Sequence, residues 1–288
     1  MPSMHYATMG KTGLKVSRVS VGTDIQLVPD RFLPILRRAG ELGVSFVDTD
    51  YSYSYPRPDG SSGQSWEAVR EWLREVDREQ VVLAAKTYDP TPDGAFRHAE
   101  ESLAGLGTEY VDVFLLHGLN TLEDWERFRP ALEGCLRAKE QGLVRHVGLS
   151  THTVTLAREA ARHPELEVLL VTLNATGKVM KRSGSPEEMQ AAMQVLCEQG
   201  RGVYIMKSLA RGRVFWDRDE EAGAGAPNQL TREEIDRALS YVFRCPWAHA
   251  VTIGMRSIAE LEENAAVAAR VDAELGRWEV NPRTAAAG

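Results

Sequence analysis

A repeating pattern of short apolar runs, each followed by a longer amphipathic stretch, constrains the fold of this 288-residue chain more than any other feature. Each run is rich in apolar or β-branched residues and too short for a helix, which favours a strand. The eight runs span residues 16–21, 44–47, 81–85, 111–116, 144–149, 168–173, 203–206 and 250–253.

The segments between these runs carry apolar residues at helical spacing. They span residues 29–42, 64–76, 93–106, 122–140, 155–162, 186–198, 231–243 and 257–273. Strands that alternate with helices predict an α/β fold with a parallel sheet. Eight such units at this length predict a (β/α)8 TIM barrel, with residues 1–288 as a single domain.

Several segments stand outside the alternation. Residues 6–15 contain Gly10 and Gly13 and predict an N-terminal β-hairpin at the bottom of the barrel. Three loops are longer than usual for this fold and are expected to carry function. These loops span residues 50–63, 178–185 and 210–229, while residues 281–288 are expected to fray.

Composition excludes several classes of protein. The formal net charge is −7 and the charges are interspersed, so no basic nucleic-acid face is expected. No stretch approaches about 18 apolar residues, so no membrane span is expected. The three cysteines, Cys135, Cys197 and Cys245, lie far apart and predict neither a disulfide framework nor a metal site. The first residues lack the apolar segment of a signal peptide, so a cytoplasmic protein is expected.

Titratable residues follow three consecutive apolar runs. Asp48, Lys86 and His117 end the second, third and fourth runs, and Tyr53 lies five residues after Asp48. In a (β/α)8 barrel the C-terminal ends of the strands form the active site. Asp48 and Lys86 alone could form a structural salt bridge, His117 could belong to the core, and Tyr53 could pack within its loop. The joint pattern favours a catalytic site.

These residue types suit proton transfer to a carbonyl oxygen. A phenol has an ordinary pKa near ~10, and a neighbouring ammonium favours its anion. We therefore expect Lys86, paired with Asp48, to lower the pKa of Tyr53. His117 can form a hydrogen bond with the substrate oxygen or with the phenol. The set could deliver a proton while a second group delivers hydride.

The motifs around these residues resemble those of the aldo-keto reductase superfamily. The similar segments are GKTGLKVSRVSVGT at 10–23, FVDTDYSY at 46–53, VVLAAKT at 81–87, VDVFLLHG at 111–118, VGLSTH at 147–152 and TIGMRSIAELEEN at 252–264. The resemblance spans nearly the whole chain, in the correct order. No GxGxxG motif follows a strand, which excludes the alternative Rossmann reading.

The resemblance implies roles for individual residues. Tyr53 is the general acid, Lys86 and Asp48 tune it, and His117 orients the substrate carbonyl. Hydride comes from a nicotinamide cofactor, NADP(H) by family habit, lying across the barrel mouth. The implied cofactor-binding residues are Gly22, Thr23, Ser150, Thr151, Met206, Lys207, Ser208, Leu209, Arg213, Gly254, Met255, Arg256, Glu260 and Asn264.

The sequence also departs from the family pattern. Asp50 stands where the family has a small residue, and it either binds a cationic substrate group or faces solvent. Residues 206–209 resemble a Met-Lys-Pro-Leu branch with Ser208 in place of Pro, and the Cys-rich tail of part of that branch is missing, so no iron–sulfur cluster is expected. Glu260 replaces Arg or Gln beside the 2′-phosphate partner Arg256. A carboxylate repels phosphate, so NAD(H) stays open as the cofactor.

The sequence therefore predicts an NADP-dependent reductase of small-molecule aldehydes or ketones. Two alternatives stay open: a lyase, isomerase or imine reductase on the same scaffold, and a non-catalytic module that senses nucleotide. The substrate pocket is expected to be lined by Tyr51, Tyr55, Arg57, Phe215 and Trp216. No metal site and no nucleic-acid or membrane partner is expected.

Overall fold

The computed structural model describes residues 4–25, 27–57, 59–181, 183–215 and 230–280. The strands in this part of the chain are β1 (His5–Thr8), β2 (Lys15–Ser17), β3 (Val19–Gly22), β4 (Phe46–Asp48), β5 (Ser54–Pro56), β6 (Ser62–Gln64), β7 (Val82–Thr87), β8 (Val111–Leu116), β9 (Val144–Thr151), β10 (Val168–Thr172), β11 (Gly202–Met206), β12 (Ala250–Gly254) and β13 (Glu279–Val280). The helices are α1 (Pro29–Glu41), α2 (Trp66–Leu73), α3 (Pro92–Leu106), α4 (Leu122–Phe128), α5 (Ala131–Glu140), α6 (Val154–Ala160), α7 (Pro186–Glu198), α8 (Arg232–Arg244) and α9 (Ile258–Leu275).

Eight parallel strands close into a barrel in the order β10-β11-β12-β3-β4-β7-β8-β9. Helices follow these strands and pack around them, so the predicted (β/α)8 TIM barrel is confirmed. Side chains alternate between the two faces of each strand. One set, including Phe46, Leu115 and Tyr204, fills the barrel interior, and the other packs against the helices.

The N-terminal hairpin is also confirmed, with a different boundary. Strands β1 and β2 pair antiparallel, and β13 joins them on the other edge of β1. The turn between β1 and β2 contacts Gly200, just before β11, so the hairpin covers the N-terminal end of the barrel. The predicted single strand at 16–21 is wrong, because the chain leaves the hairpin at Arg18 and enters the barrel at Val19. Arg18 is buried there, where its Nε lies 3.2 Å from an oxygen of Asp272 in α9.

Two further predictions needed correction. The predicted helix at 122–140 is two helices, α4 and α5, separated at Pro130, whose ring lacks an N–H donor. The predicted loop at 50–63 contains the two-stranded hairpin β5–β6. Residues 216–229 and 281–288 of the other predicted loops and terminus lie outside the described residues.

Close packing between strands leaves no space for side chains at some glycines. A Cβ atom on Gly148 of β9 would lie 1.9 Å from the carbonyl oxygen of Val168 in β10. The described helices include none long and apolar enough to cross a lipid bilayer. In a (β/α)8 barrel the C-terminal ends of the strands carry the functional residues.

Candidate active site

Strand periodicity places Asp48 and Lys86 at the same point inside the barrel mouth. Asp48 follows Phe46 by two residues and Lys86 follows Ala84 by two, so both side chains extend the column of interior residues. Lys86 Nζ donates to Asp48 Oδ1 at 2.7 Å and to the carbonyl oxygen of Thr49 at 2.7 Å. Lys86 is fully buried, so its ammonium depends on these two acceptors.

A third residue, which the sequence analysis did not predict, binds the other carboxylate oxygen of Asp48. The hydroxyl of Tyr204, on β11 across the barrel, donates to Asp48 Oδ2 at 2.7 Å. Both carboxylate oxygens of Asp48 thus have a donor, and the carboxylate is held rigidly between two strands. Tyr204 lies in the middle of an apolar run, and only its hydroxyl hinted at a polar role.

Tyr53 lies next to this pair, and with Asp48 it lines a cleft at the barrel mouth. Lys86 Nζ is 5.0 Å from the centroid of the Tyr53 ring, and the ring meets His117 edge-on at 5.9 Å between centroids. Burial, together with the negative charges of Asp48 and Asp50, raises the pKa of Tyr53 well above its ordinary value. The expected lowering by Lys86 is wrong for the free protein, because burial of the phenol and the two nearby carboxylates outweigh the effect of that ammonium on the pKa. The phenol therefore keeps its proton at neutral pH.

His117 is held by hydrogen bonds at both ring nitrogens. Its Nδ1 lies 2.8 Å from Asp50 Oδ2, and its Nε2 lies 3.2 Å from the hydroxyl of Tyr88. The Tyr88 ring stacks on the imidazole with 4.2 Å between centroids. Burial lowers the pKa of His117 below its ordinary value. His117 is therefore neutral at neutral pH.

Asp50 neither faces solvent nor stands free for a cationic substrate group, which corrects both expectations for this residue. It is fully buried, and its Oδ1 accepts from the backbone N–H of Ser52 at 2.7 Å. Burial acts to raise the pKa of Asp50, but the hydrogen bond with His117 and the charge of Lys86 lower it below the ordinary value. Asp50 is thus an ionised partner of His117.

Three other residues of this loop, Tyr51, Tyr55 and Arg57, make their contacts outside the cleft. The hydroxyl of Tyr55 donates to Glu67, which also pairs with Arg57. Tyr51 packs on the ring of His98. Of the expected pocket walls, Tyr51, Tyr55, Arg57 and Phe215 do not line the cleft, and Trp216 lies outside the described residues. That part of the pocket prediction is wrong. The β5–β6 hairpin directs Tyr55 and Arg57 into contacts with Glu67, and the Phe215 ring lies under the guanidinium of Arg237, 3.7 Å from the ring centroid.

One elongated cleft runs from the buried pair to the N-terminus of α9. It encloses about 1380 Å³ of space free of protein atoms, including the part open to solvent. Asp48 and Tyr53 line one end, and Arg256 and Asn264 line the other. Because these residues line the same cleft, it can hold an extended ligand that contacts Asp48 and Tyr53 at one end and Arg256 and Asn264 at the other.

Ten of the fourteen predicted cofactor residues line this cleft. They are Gly22, Thr23, Met206, Lys207, Ser208, Leu209, Gly254, Arg256, Glu260 and Asn264. Thr252 Oγ1 is a buried polar atom of this cleft that has no hydrogen-bond partner among the described residues, so a ligand can bind to it. A Cβ atom on Gly22 would lie 3.1 Å from Thr252 Oγ1, so the glycine leaves the space beside this hydroxyl free. These features fit a nicotinamide dinucleotide.

The remaining four predicted cofactor residues do not line the cleft. Ser150 is buried, and its Oγ accepts from the backbone N–H of Gly118 at 2.7 Å. Thr151 forms its hydrogen bonds with Thr153, and Met255 is buried in the core. Arg213 does not line the cleft, whereas Arg211, two residues earlier, does. Position in the sequence alone does not show which of several adjacent residues lines the cleft.

The far end of the cleft combines one guanidinium with carboxylates. Glu260, in the first turn of α9, accepts from the backbone N–H of Arg256 at 2.7 Å through Oε2. Glu263 lines the same end and pairs with Arg232 at 2.8 Å. A phosphate bound here would meet Arg256 together with the negative charge of Glu260.

Several lining residues had no place in the predicted cofactor set. They are Asp24, Ile25, Leu170, Arg211, Gly212, Ile235, Thr252, Ile253 and Glu263. Asp24 lies 3.7 Å from Lys207 and partly balances its charge. Lys207 and Arg211 have positive φ values of 59°, which mark tight left-handed turns after β11. Among the described residues, no cluster of His, Cys, Asp or Glu is arranged to hold a metal ion.

Comparisons with known proteins agree with this architecture. The model of the aldo/keto reductase family matches residues 20–278. The oxidoreductase YrpG of Bacillus subtilis is 25% identical, over 95% of this chain and 94% of its own length. L-galactose dehydrogenase of Arabidopsis thaliana is 20% identical, over 94% of this chain and 90% of its own. The holo form of an aldo-keto reductase from Bacillus halodurans superposes with a TM-score of 0.72 at 21% identity, covering 97% of this chain and 98% of its own.

Proposed function

The chain belongs to the aldo/keto reductase family, and we propose that it reduces an aldehyde or ketone to an alcohol, or runs the reverse oxidation, with NADP(H) as the cofactor. The observation that carries this proposal is the mutual contact of Asp48, Lys86, Tyr53 and His117. Two of these residues, Asp48 and Tyr53, line one end of the cleft. A module that only binds nucleotide has no need of a buried ammonium beside a protonated phenol.

In the proposed reaction the protein supplies the proton and the cofactor supplies the hydride. Tyr53 holds its proton at neutral pH and can donate it as negative charge develops on a substrate carbonyl oxygen. The Lys86 ammonium, 5.0 Å from the ring centroid, then stabilises the phenolate that remains. Asp48 and Tyr204 keep this ammonium in place. A bound nicotinamide supplies the hydride.

The cleft lining indicates which residues hold the cofactor. Gly22, Thr252 and Met206 lie beside the reacting end and form the surface for the nicotinamide. Arg256 supplies the guanidinium for a 2′-phosphate at the far end. The carboxylate of Glu260 beside it favours NAD(H) as the second candidate, because it repels phosphate and can accept from a ribose hydroxyl.

The first test is a fluorescence titration of the purified protein with NADPH and with NADH. Tight binding of either nucleotide supports the proposal, and the tighter of the two identifies the cofactor. Binding of neither contradicts it.

The second test compares Tyr53→Phe with Tyr51→Phe in turnover of a panel of aldehydes and ketones. Tyr53→Phe should abolish turnover and leave cofactor binding unchanged. Tyr51→Phe is the matched control, because that ring packs on His98 outside the cleft, and it should retain activity. Full activity of the Tyr53 variant would refute the mechanism.

A further inference from the structure

The contact between Asp50 and His117 determines what His117 can offer to a substrate. An ionised carboxylate only accepts hydrogen bonds, so the nitrogen that faces it must carry the proton. Asp50 Oδ2 lies 2.8 Å from Nδ1 of His117. A neutral imidazole has a single N–H group, and here that group is on Nδ1.

We propose that Asp50 is a positioning residue that fixes the proton of His117 on Nδ1 and so presents Nε2 as an acceptor for a substrate hydroxyl group. The role in recognition rests on the proposed function. The tautomer does not rest on it and can be measured in the free protein. In this arrangement Tyr53 is the group that donates to the carbonyl oxygen.

The second nitrogen of His117 agrees with this assignment. Nε2 lies 3.2 Å from the hydroxyl of Tyr88, which can donate to it, and the stacked rings hold this geometry. Tyr88 is 40% exposed, so a ligand can displace its hydroxyl from Nε2. An oxygen that replaces it must bring its own proton, which a hydroxyl does and a carbonyl does not.

The surroundings keep the imidazole neutral. The titratable groups near it are Asp50 and Tyr53 from the loop after β4, Lys86 and Tyr88 from β7 and its end, Asp48 from β4, and His152 after β9. Burial lowers the pKa of His117, and the Lys86 ammonium lowers it further. Asp50 and Asp48 act in the opposite direction and do not overcome burial.

The inferred substrate is a carbonyl compound with a hydroxyl group on the adjacent carbon. In such a compound the two oxygens are close neighbours, so one can accept from Tyr53 while the other donates to His117 Nε2. A site built to bind a hydroxyl group discriminates against the analogue that lacks it, because the buried acceptor is then left unpaired.

The substitution Asp50→Asn should reverse the tautomer. The Ser52 backbone N–H is a fixed donor to the Oδ1 position, so the amide oxygen of an asparagine must occupy that position. Its NH2 group then faces Nδ1 of His117 and donates to it. The proton of the imidazole must move to Nε2.

The experiment is long-range ¹H–¹⁵N NMR of histidine-labelled protein at pH 7.5. His146 is an internal reference for an imidazole whose Nδ1 faces a carboxylate, because its Nδ1 lies 2.9 Å from an oxygen of Glu167. In the wild type we expect His117 to be protonated on Nδ1, in Asp50→Asn on Nε2, and in Tyr88→Phe still on Nδ1. An Nε2 proton in the wild type, or a reversal in Tyr88→Phe, would overturn the assignment to Asp50.

The kinetic arm uses hydroxyacetone and 2-butanone, which have the same number of heavy atoms. We expect the wild type to prefer hydroxyacetone by about 10-fold in kcat/KM, and Asp50→Asn to reduce this preference to within about threefold. A wild type without preference, or a preference unchanged in a variant whose tautomer has reversed, would overturn the role in recognition. If neither ketone turns over, along with every other carbonyl compound, the proposed function fails, while the NMR result still decides the role of Asp50.

Discussion

The hydrogen bond from Tyr204 to Asp48 should contribute measurably to stability, and the variant Tyr204→Phe removes it alone. The ring remains and keeps its packing on Phe46, 5.0 Å away between centroids. Asp48 Oδ2 loses the donor at 2.7 Å from a fully buried tyrosine, while Oδ1 keeps Lys86. A hydrogen bond to a charged group is worth about 1.5–3 kcal/mol. We therefore expect the free energy of unfolding to fall by about 2 kcal/mol.

The expected change in melting temperature follows from the length of the chain. Unfolding entropy of about 2.1 cal/mol/K per residue gives about 0.6 kcal/mol/K for a chain of this size. A loss of about 2 kcal/mol then lowers Tm by about 3 °C. Thermal unfolding followed by circular dichroism or calorimetry at pH 7 measures this shift.

Tyr110→Phe provides the matched control. The Tyr110 hydroxyl is buried without a hydrogen-bond partner among the described residues, so its removal leaves no acceptor unpaired. Its ring keeps the guanidinium groups of Arg78 and Arg145 at 4.0 and 3.9 Å from the centroid. We expect Tm to stay the same or rise. If Tyr204→Phe is no less stable than Tyr110→Phe, the hydrogen bond to Asp48 is not a source of stability and the reasoning is refuted.

Three further variants test other parts of the structure. Glu260→Gln removes a negative charge beside Arg256, so it should raise the affinity for NADPH relative to NADH about 5-fold in a fluorescence titration; an unchanged ratio would contradict the proposed repulsion. Burial acts to raise the pKa of Glu167, but hydrogen bonds from a histidine and a lysine outweigh it and lower the pKa to about 2. The stability that this lowered pKa contributes is complete above about pH 5 and is lost as the pH falls toward 2. Glu167→Gln should therefore make Tm depend less on pH between 5 and 2, whereas Glu165→Gln, at an exposed position, should leave that dependence unchanged. Gly148→Ala would place a Cβ 1.9 Å from a backbone oxygen and should destabilise the barrel by about 3 kcal/mol or more. Gly40→Ala is the control, because its Cβ would meet only ordinary contacts at 3.5 Å, and it should be tolerated. Equal unfolding midpoints of the two variants in denaturant would argue against this strand packing.

The alternation of apolar runs predicted the barrel because the pattern is local. A strand buried on both faces needs consecutive apolar residues, and a helix outside the barrel needs one apolar stripe. Strand boundaries were less certain where tertiary contacts compete with this pattern. Arg18 interrupts the first run because its guanidinium binds Asp272, 254 residues later in the chain.

The same distinction separates the two parts of the candidate site. Asp48, Lys86 and His117 were predictable, since each stands at the end of a strand and the ends of parallel strands meet at one rim. The depth of a side chain below that rim was not predictable. Ser150 and Met255 come from the right segments, yet they are buried away from the cleft, while Thr252 and Arg211 line it.

By itself, then, the sequence determined the eightfold alternation, the order of the strands and the residues that end them, because these depend on local periodicity. Beyond the predicted pair of Lys86 with Asp48, the tertiary structure alone decided which side chains form hydrogen bonds with each other. Tyr204 reaches Asp48 across the barrel, and Asp50 turns inward to His117. Burial then raises the pKa of Tyr53, although the proximity of a lysine in the sequence pattern favoured the opposite shift. Pairing and burial depend on the distances between strands in space, and no spacing along the chain encodes them directly.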